Sequence, residues 1–240
     1  MKKTILTVAL GSIACFAFAS NELSMGNKLD LKLATFNESQ VTEGTRTALR
    51  RAKTIWGPTG LIFIPTAYTA GKGEFSWGAS ITKDFSSGSV SYGLIDDIEV
   101  GVTYLDRRGA DNKSIANAKV HIVPSNFDWF EIGVGVMDVA DAVNQTVYFV
   151  GSADVIVPDY AAERGAVGLR LHAGVGTGYF SEKPFFGGEL LFDRGFSLLG
   201  EWDTKNTNFG VRYAHDDEFF VELGNYASRL AFKMSYTMRF

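Results

Sequence analysis

From Gly73 onward the chain alternates apolar and polar residues with a period of two, segment after segment, until it ends at Phe240. No other feature constrains it as much, because strands with one apolar and one polar face need a sheet whose two sides meet different surroundings. Phe75, Trp77, Ala79 and Ile81 alternate with Ser76, Gly78, Ser80 and Thr82, and Ile98, Val100, Val102 and Tyr104 repeat the pattern. The last segment is the clearest: Leu230, Phe232, Met234, Tyr236, Met238 and Phe240 alternate with Ala231, Lys233, Ser235, Thr237 and Arg239. Its length is about the 9–11 residues with which a tilted strand crosses a bilayer. Counting such segments predicts an all-β fold, an antiparallel transmembrane β-barrel of about 12 strands (10–14) over residues 73–240. A soluble β-sandwich would also alternate, but the long final segment and the aromatics Trp77, Tyr104, Phe130, Phe192, Trp202 and Tyr236, suited to interfacial girdles, favour the barrel.

The N-terminus agrees with export. Lys2 and Lys3 precede an apolar run that closes on Ala17-Phe18-Ala19, which predicts a cleavable signal peptide over residues 1–19. Lipidation at Cys15 is the competing route, and Ser12 in place of the usual Leu counts against it. Cleavage removes the single cysteine, so no disulfide is expected. It also removes two lysines, leaving 21 basic against 27 acidic residues, a balance that argues against nucleic acid as a partner. No later apolar run reaches the roughly 18 residues of a transmembrane helix. The expected destination is the bacterial outer membrane, with its lipid and the barrel-assembly machinery as partners.

If the apolar face meets lipid, parity assigns the other face to the lumen. The expected lumen charge network is then Glu99, Lys119, Glu131, Arg170, His172, Glu189, Glu201, Arg212, Glu222 and Lys233, with Asp203 and Arg239 beside it. Acids and bases nearly cancel, which favours a plugged or narrow interior laced by ion pairs over a pore of one sign. Polar filling is the plainer account of the same residues. Inward glycines such as Gly133, Gly187 and Gly210 either leave room for a solute or ease strand curvature. Long connections near residues 106–114, 138–145 and 176–184 are expected outside the cell, and tight ones near 95–97, 193–195 and 216–217 in the periplasm, with 157–165 as an exception. His121, His172 and His215 lack a serine-nucleophile motif or metal spacing around them, so no enzyme, cofactor or metal is expected.

Residues 20–72 read as a periplasmic leader. Residues 45–56 place Leu49, Ala52, Ile55 and Trp56 at helical spacing among basic residues, which predicts a short amphipathic helix or a solvated linker. Next comes Gly57-Pro58-Thr59-Gly60-Leu61-Ile62-Phe63-Ile64-Pro65-Thr66-Ala67, an apolar segment punctuated by turns. It is expected to run along or into the periplasmic mouth and bury Leu61, Phe63 and Ile64, or else to form an ordinary first strand. Here the chain resembles the YjbH family of outer-membrane proteins linked to exopolysaccharide production. The matching positions are Gly57, Thr59, Gly60, Leu61, Pro65, Thr66 and Ala67, followed by Gly73 and Phe75. The resemblance implies a non-enzymatic barrel that assists secretion of a polysaccharide, with polysaccharide or export proteins as partners. The barrel interior taken alone implies a narrow passive channel for small polar solutes, and a structural anchor is the third reading. Tyr236, Met238 and Phe240 form the expected assembly-recognition end of the last strand.

Overall fold

The computed structural model describes residues 50–123, 129–155, 159–162, 165–192, 195–215 and 218–240. The expected signal peptide, Cys15 and the first part of the leader lie outside the described residues. Twelve strands close into one antiparallel barrel: β1 (Glu74–Ile81), β2 (Phe85–Ile95), β3 (Ile98–Arg107), β4 (Lys113–Ile122), β5 (Phe130–Met137), β6 (Thr146–Val155), β7 (Ala166–Gly176), β8 (Lys183–Phe192), β9 (Phe196–Trp202), β10 (Thr207–His215), β11 (Phe219–Tyr226) and β12 (Arg229–Arg239). Each strand pairs with its neighbours in sequence, and β12 returns to β1 with Glu74 opposite Arg239 and Ile81 opposite Phe232. Closure leaves no unpaired edge, which an isolated sheet of this size would have to protect.

The register turns the alternation of each strand into rows around the wall. Arg212, Glu222 and Lys233 stand side by side on β10, β11 and β12, Arg170 faces Glu189, and Glu99 faces Lys119. All seven are buried inside. The opposite parity is apolar and exposed: Phe209 is 61% accessible, Leu230 70% and Tyr104 49%. A surface of this kind is stable only against another apolar medium. Among the described residues no helix is long and apolar enough to cross a membrane.

Both ends of the sheet, Glu74 and Arg239, lie at one mouth, here called the near mouth. Connections 96–97, 193–195 and 216–218 at that mouth are tight, and 138–145 and 177–182 at the far mouth are longer, as expected. Two near-mouth connections break the rule, 123–129 as well as 156–165, and the second carries a short helix, Asp159–Ala162. Loop length therefore orients this barrel only in part.

The leader departs most from expectation. Only Arg50 is helical among the described residues of the stretch 45–56, and residues 45–49 lie outside them. Lys53 instead bridges to Thr59 and Gly60 to Pro65, so two tight reversals replace the amphipathic helix. The cause lies in the chain itself. Gly57 adopts φ 103°, Thr54 N–H donates to Pro58 O at 2.7 Å and Leu61 N–H to Ile64 O at 3.0 Å, all incompatible with a continuing helix. Nor is the segment a barrel strand. Residues 51–72 fold inside the lumen, where Leu61, Ile62, Phe63 and Ile64 are fully buried.

Candidate functional site

The candidate site is the plugged lumen. A folded peptide segment leaves polar backbone groups that its own turns do not satisfy, and burial makes each of them costly. Here the barrel wall supplies the partners. The carboxylate of Glu201 on β9 accepts three consecutive amides, Ile62 N–H at 3.0 Å, Phe63 N–H at 2.9 Å and Ile64 N–H at 3.2 Å. Glu99 on β3 accepts Thr59 N–H at 3.0 Å, Ala70 N–H at 2.8 Å and the Lys53 ammonium at 2.9 Å, and also receives the Thr59 hydroxyl. The bases serve the carbonyls. Lys119 donates to Thr59 O at 2.8 Å and Thr66 O at 3.3 Å; Lys233 donates to Lys53 O at 2.8 Å and Leu61 O at 2.7 Å; Arg212 reaches Gly60 O at 3.3 Å.

Shape complements this polarity. Three inward glycines leave room for plug atoms: a Cβ on Gly133 would lie 2.8 Å from Ala67 Cα, one on Gly187 2.7 Å from Leu61 Cδ1, and one on Gly210 3.4 Å from Ile62 Cδ1. Towards the far mouth Phe63 stacks on Tyr226, with ring centroids 3.8 Å apart, and more distantly on Tyr179 at 6.2 Å, while Trp56 stacks on Phe85. Tyr179 sits in the connection after β7, where burial pushes its hydroxyl well above the ordinary tyrosine range, an effect reinforced by Tyr226 and Asp203. It stays protonated and donates to Asp203 at 3.1 Å. Towards the near mouth Tyr68 lies under Arg50 and Arg170, 4.7 and 5.6 Å from its ring centroid. Arg50 also meets Glu131 at 3.5 Å and Asp154 at 3.1 Å. Between Lys53 and Lys233 the space left is only about 10 Å³, room for a single water at most.

The charged residues expected in the lumen thus divide into two groups. Glu99, Lys119, Glu201, Arg212 and Lys233 hold the plug, and Arg212 and Lys233 also meet Glu222 at 2.8 and 3.0 Å. Arg170, His172 and Glu189 sit beneath it, and Arg170 pairs with Asp154 at 2.9 Å. Glu131 is only half-buried and binds His121 at 2.7 Å near the mouth. The anticipated lacing of wall to wall by ion pairs is correspondingly partial, because much of the wall's hydrogen bonding goes to the plug. Of the motif, Gly57 and Gly60 make turns, Thr59 and Thr66 bond to the wall, Leu61 and Ala67 pack against it, and Pro65 bridges to Gly60 within the plug. Tyr236 and Met238 lie on β12 facing outward, and Phe240 ends the chain with its amide donating to Gly73 O at 3.3 Å.

Sequence reasoning missed several contributors, including Lys53, Thr103, Asn117 and Ser152. Thr103 and Asn117 both donate to Trp56 O, at 2.8 and 2.9 Å, and Ala67 N–H donates to Ser152 Oγ at 2.8 Å. The Ser152 hydroxyl, which accepts that amide, is also hydrogen-bonded to His172 Nδ1 at 2.8 Å, while His172 Nε2 lies 3.6 Å from Glu189. Serine, histidine and carboxylate are close together but buried under the plug, with the serine already committed to it.

No family model matches the chain, and no curated protein does. Among solved structures the chain is similar to the KdgM porin, at 14% identity and a TM-score of 0.45, covering 70% of this chain and 99% of that one. A KdgM porin in complex with disordered oligogalacturonate gives 12% identity and a TM-score of 0.44 over the same shares. The N-terminal β-barrel domain of Pseudomonas aeruginosa OprF follows at 11% and 0.25, covering 70% of this chain and all of that domain.

Proposed function

We propose that the chain is an outer-membrane barrel that acts as a gated conduit for small polar solutes, sealed at rest by residues 51–72 and without enzymatic chemistry of its own. Its outer wall suits hydrocarbon, and its even strand number brings both sheet ends to one mouth, which this reading takes as the periplasmic one by analogy with single-chain bacterial barrels. The observation that carries the conduit is the wall's bonding to the plug. Lys119, Lys233, Arg212, Glu99 and Glu201 meet plug backbone, so withdrawal of the segment leaves a polar passage that water and polar solutes can enter. Planar bilayers test this. The intact chain should conduct rarely, and a variant with residues 51–72 replaced by a Gly/Ser linker should conduct steadily. A linker variant that keeps the heat-modifiable migration of a folded barrel yet stays silent would sink the proposal.

The second reading is assistance to polysaccharide secretion in the manner implied by resemblance to the YjbH family. It is favoured by one observation: Gly57, Thr59, Gly60, Leu61, Pro65, Thr66 and Ala67 all lie within the plug. Deleting the gene should then lower exopolysaccharide output, and unchanged output with a conducting linker variant would leave the conduit alone standing.

A further inference from the structure

Of the bases buried on the wall among the described residues, Lys119, Lys233 and Arg212 donate to plug carbonyls and Arg170 does not. Its Nε meets Asp154 at 2.9 Å, while Nη1 and Nη2 have no hydrogen-bonding partner among the described residues. The plug covers this fork with an aromatic ring instead. The Tyr68 centroid lies 5.6 Å from Arg170 Cζ and 6.1 Å from the centroid of the His172 ring. Neighbouring strands extend the pattern: Arg212 Nη1, His172 Nε2, Ser197 Oγ and Glu189 Oε2 are also buried without such a partner. The register gathers these side chains on β7 to β10, with Arg170 opposite Glu189 and Ser197 opposite Arg212. Buried polar groups are rarely left unpaired, because each one costs stability. A cluster of them under the plug marks groups whose partner arrives when the plug is out.

We propose that, once the plug withdraws, this patch binds a small hydroxylated solute bearing an oxyanion, carboxylate or phosphate, with Arg170 as its main contact; this rests on the conduit reading above. Guanidinium geometry selects the oxyanion, since the Nη1 and Nη2 edge presents two parallel donors matched to two oxygens of one anionic group. Arg212 Nη1 and the Ser197 hydroxyl add further donors. The one unpaired acceptor, Glu189 Oε2, suits a solute hydroxyl. Net charge does not draw the solute in. Asp154 offsets Arg170, Glu222 offsets Arg212 at 2.8 Å, and Glu189 Oε1 lies 3.7 Å from Arg212, so recognition rests on donor geometry. Because Tyr68 lies over the fork, plug and solute exclude one another.

Current interruption in the Gly/Ser linker variant tests the patch. Planar bilayers holding that variant in potassium chloride are exposed to gluconate, glycerol phosphate, sorbitol or glycerol. At least one of the two anions should interrupt the current at concentrations about tenfold or more below those of the neutral polyols, and the stronger one tells carboxylate from phosphate. Arg170→Gln and Arg170→Lys should both weaken that interruption by about tenfold, because lysine keeps the charge and lacks the fork. Heat-modifiable migration shows whether each variant is folded, and the solute comparison itself needs no substitution at the patch. Equal interruption by charged and neutral solutes overturns the proposal, as does a difference that survives in either folded Arg170 variant; steady conduction in those cases leaves the conduit standing. A silent linker variant overturns conduit and patch together.

Discussion

Glu201 is a main support of the seal, because one carboxylate accepts three amides that have no other acceptor within the plug. Each amide left unpaired in a buried site costs about 1–3 kcal/mol, and the three losses are not additive. Glu201→Ala is therefore expected to raise open probability in bilayers by at least about tenfold, which corresponds to ~1.4 kcal/mol. An unchanged trace would show that the Glu201 carboxylate does not hold the plug. The inward glycines give a second prediction at this scale. Gly133→Val sets a side chain into Ala67 Cα and should expose the plug to added protease from the periplasmic side, whereas Gly88→Val, with nothing within 4 Å, should not. Neither role was legible from residue type alone. Parity placed Glu201 and Gly133 inside, but a lumen carboxylate facing amides and one facing a lysine look alike in sequence.

At the scale of elements the two halves of the chain differ in how far sequence speaks for structure. The strands were legible because alternation is a local signal that the closed sheet then amplifies, as in β12, whose Lys233, Ser235 and Thr237 all turn inward. The plug was not, because its conformation is set by partners far away in sequence. Lys233 meets Leu61 across 172 positions and Glu201 meets Ile62 across 139, while the local spacing of Ala52, Ile55 and Trp56 suggested a helix. Tertiary contacts overrode that weak propensity. The plug should move as one unit, since its internal bonds join residues 52–66. Tethering it with Ala67→Cys and Ser152→Cys, whose native side chain already reaches the Ala67 amide at 2.8 Å, in a mature chain otherwise without cysteine if the signal peptide is removed, is expected to abolish residual openings under oxidant and to restore them with reductant. Openings that persist in the oxidised protein would place the gate elsewhere.

For the whole molecule, the balance of signs decides what an open state would prefer. Glu99, Glu189, Glu201 and Glu222 are interspersed around the wall with Lys119, Arg170, Arg212 and Lys233, so no field of one sign develops. The linker variant should accordingly show a reversal potential close to zero under a salt gradient, and strong cation or anion selectivity would contradict the placement of these charges. The seam between β1 and β12 has a consequence in time as well as in space. Glu74 and Arg239 are 165 positions apart, so the ladder that shuts the cylinder joins the most distant parts of the sheet and is the slowest to find. The plug depends on distant partners too, through bonds such as those of Lys233 to Leu61 and of Glu201 to Ile62, and it runs directly into β1. A stopper whose shape depends on the finished wall is expected to set last, so biogenesis of the cylinder ends with the piece that seals it.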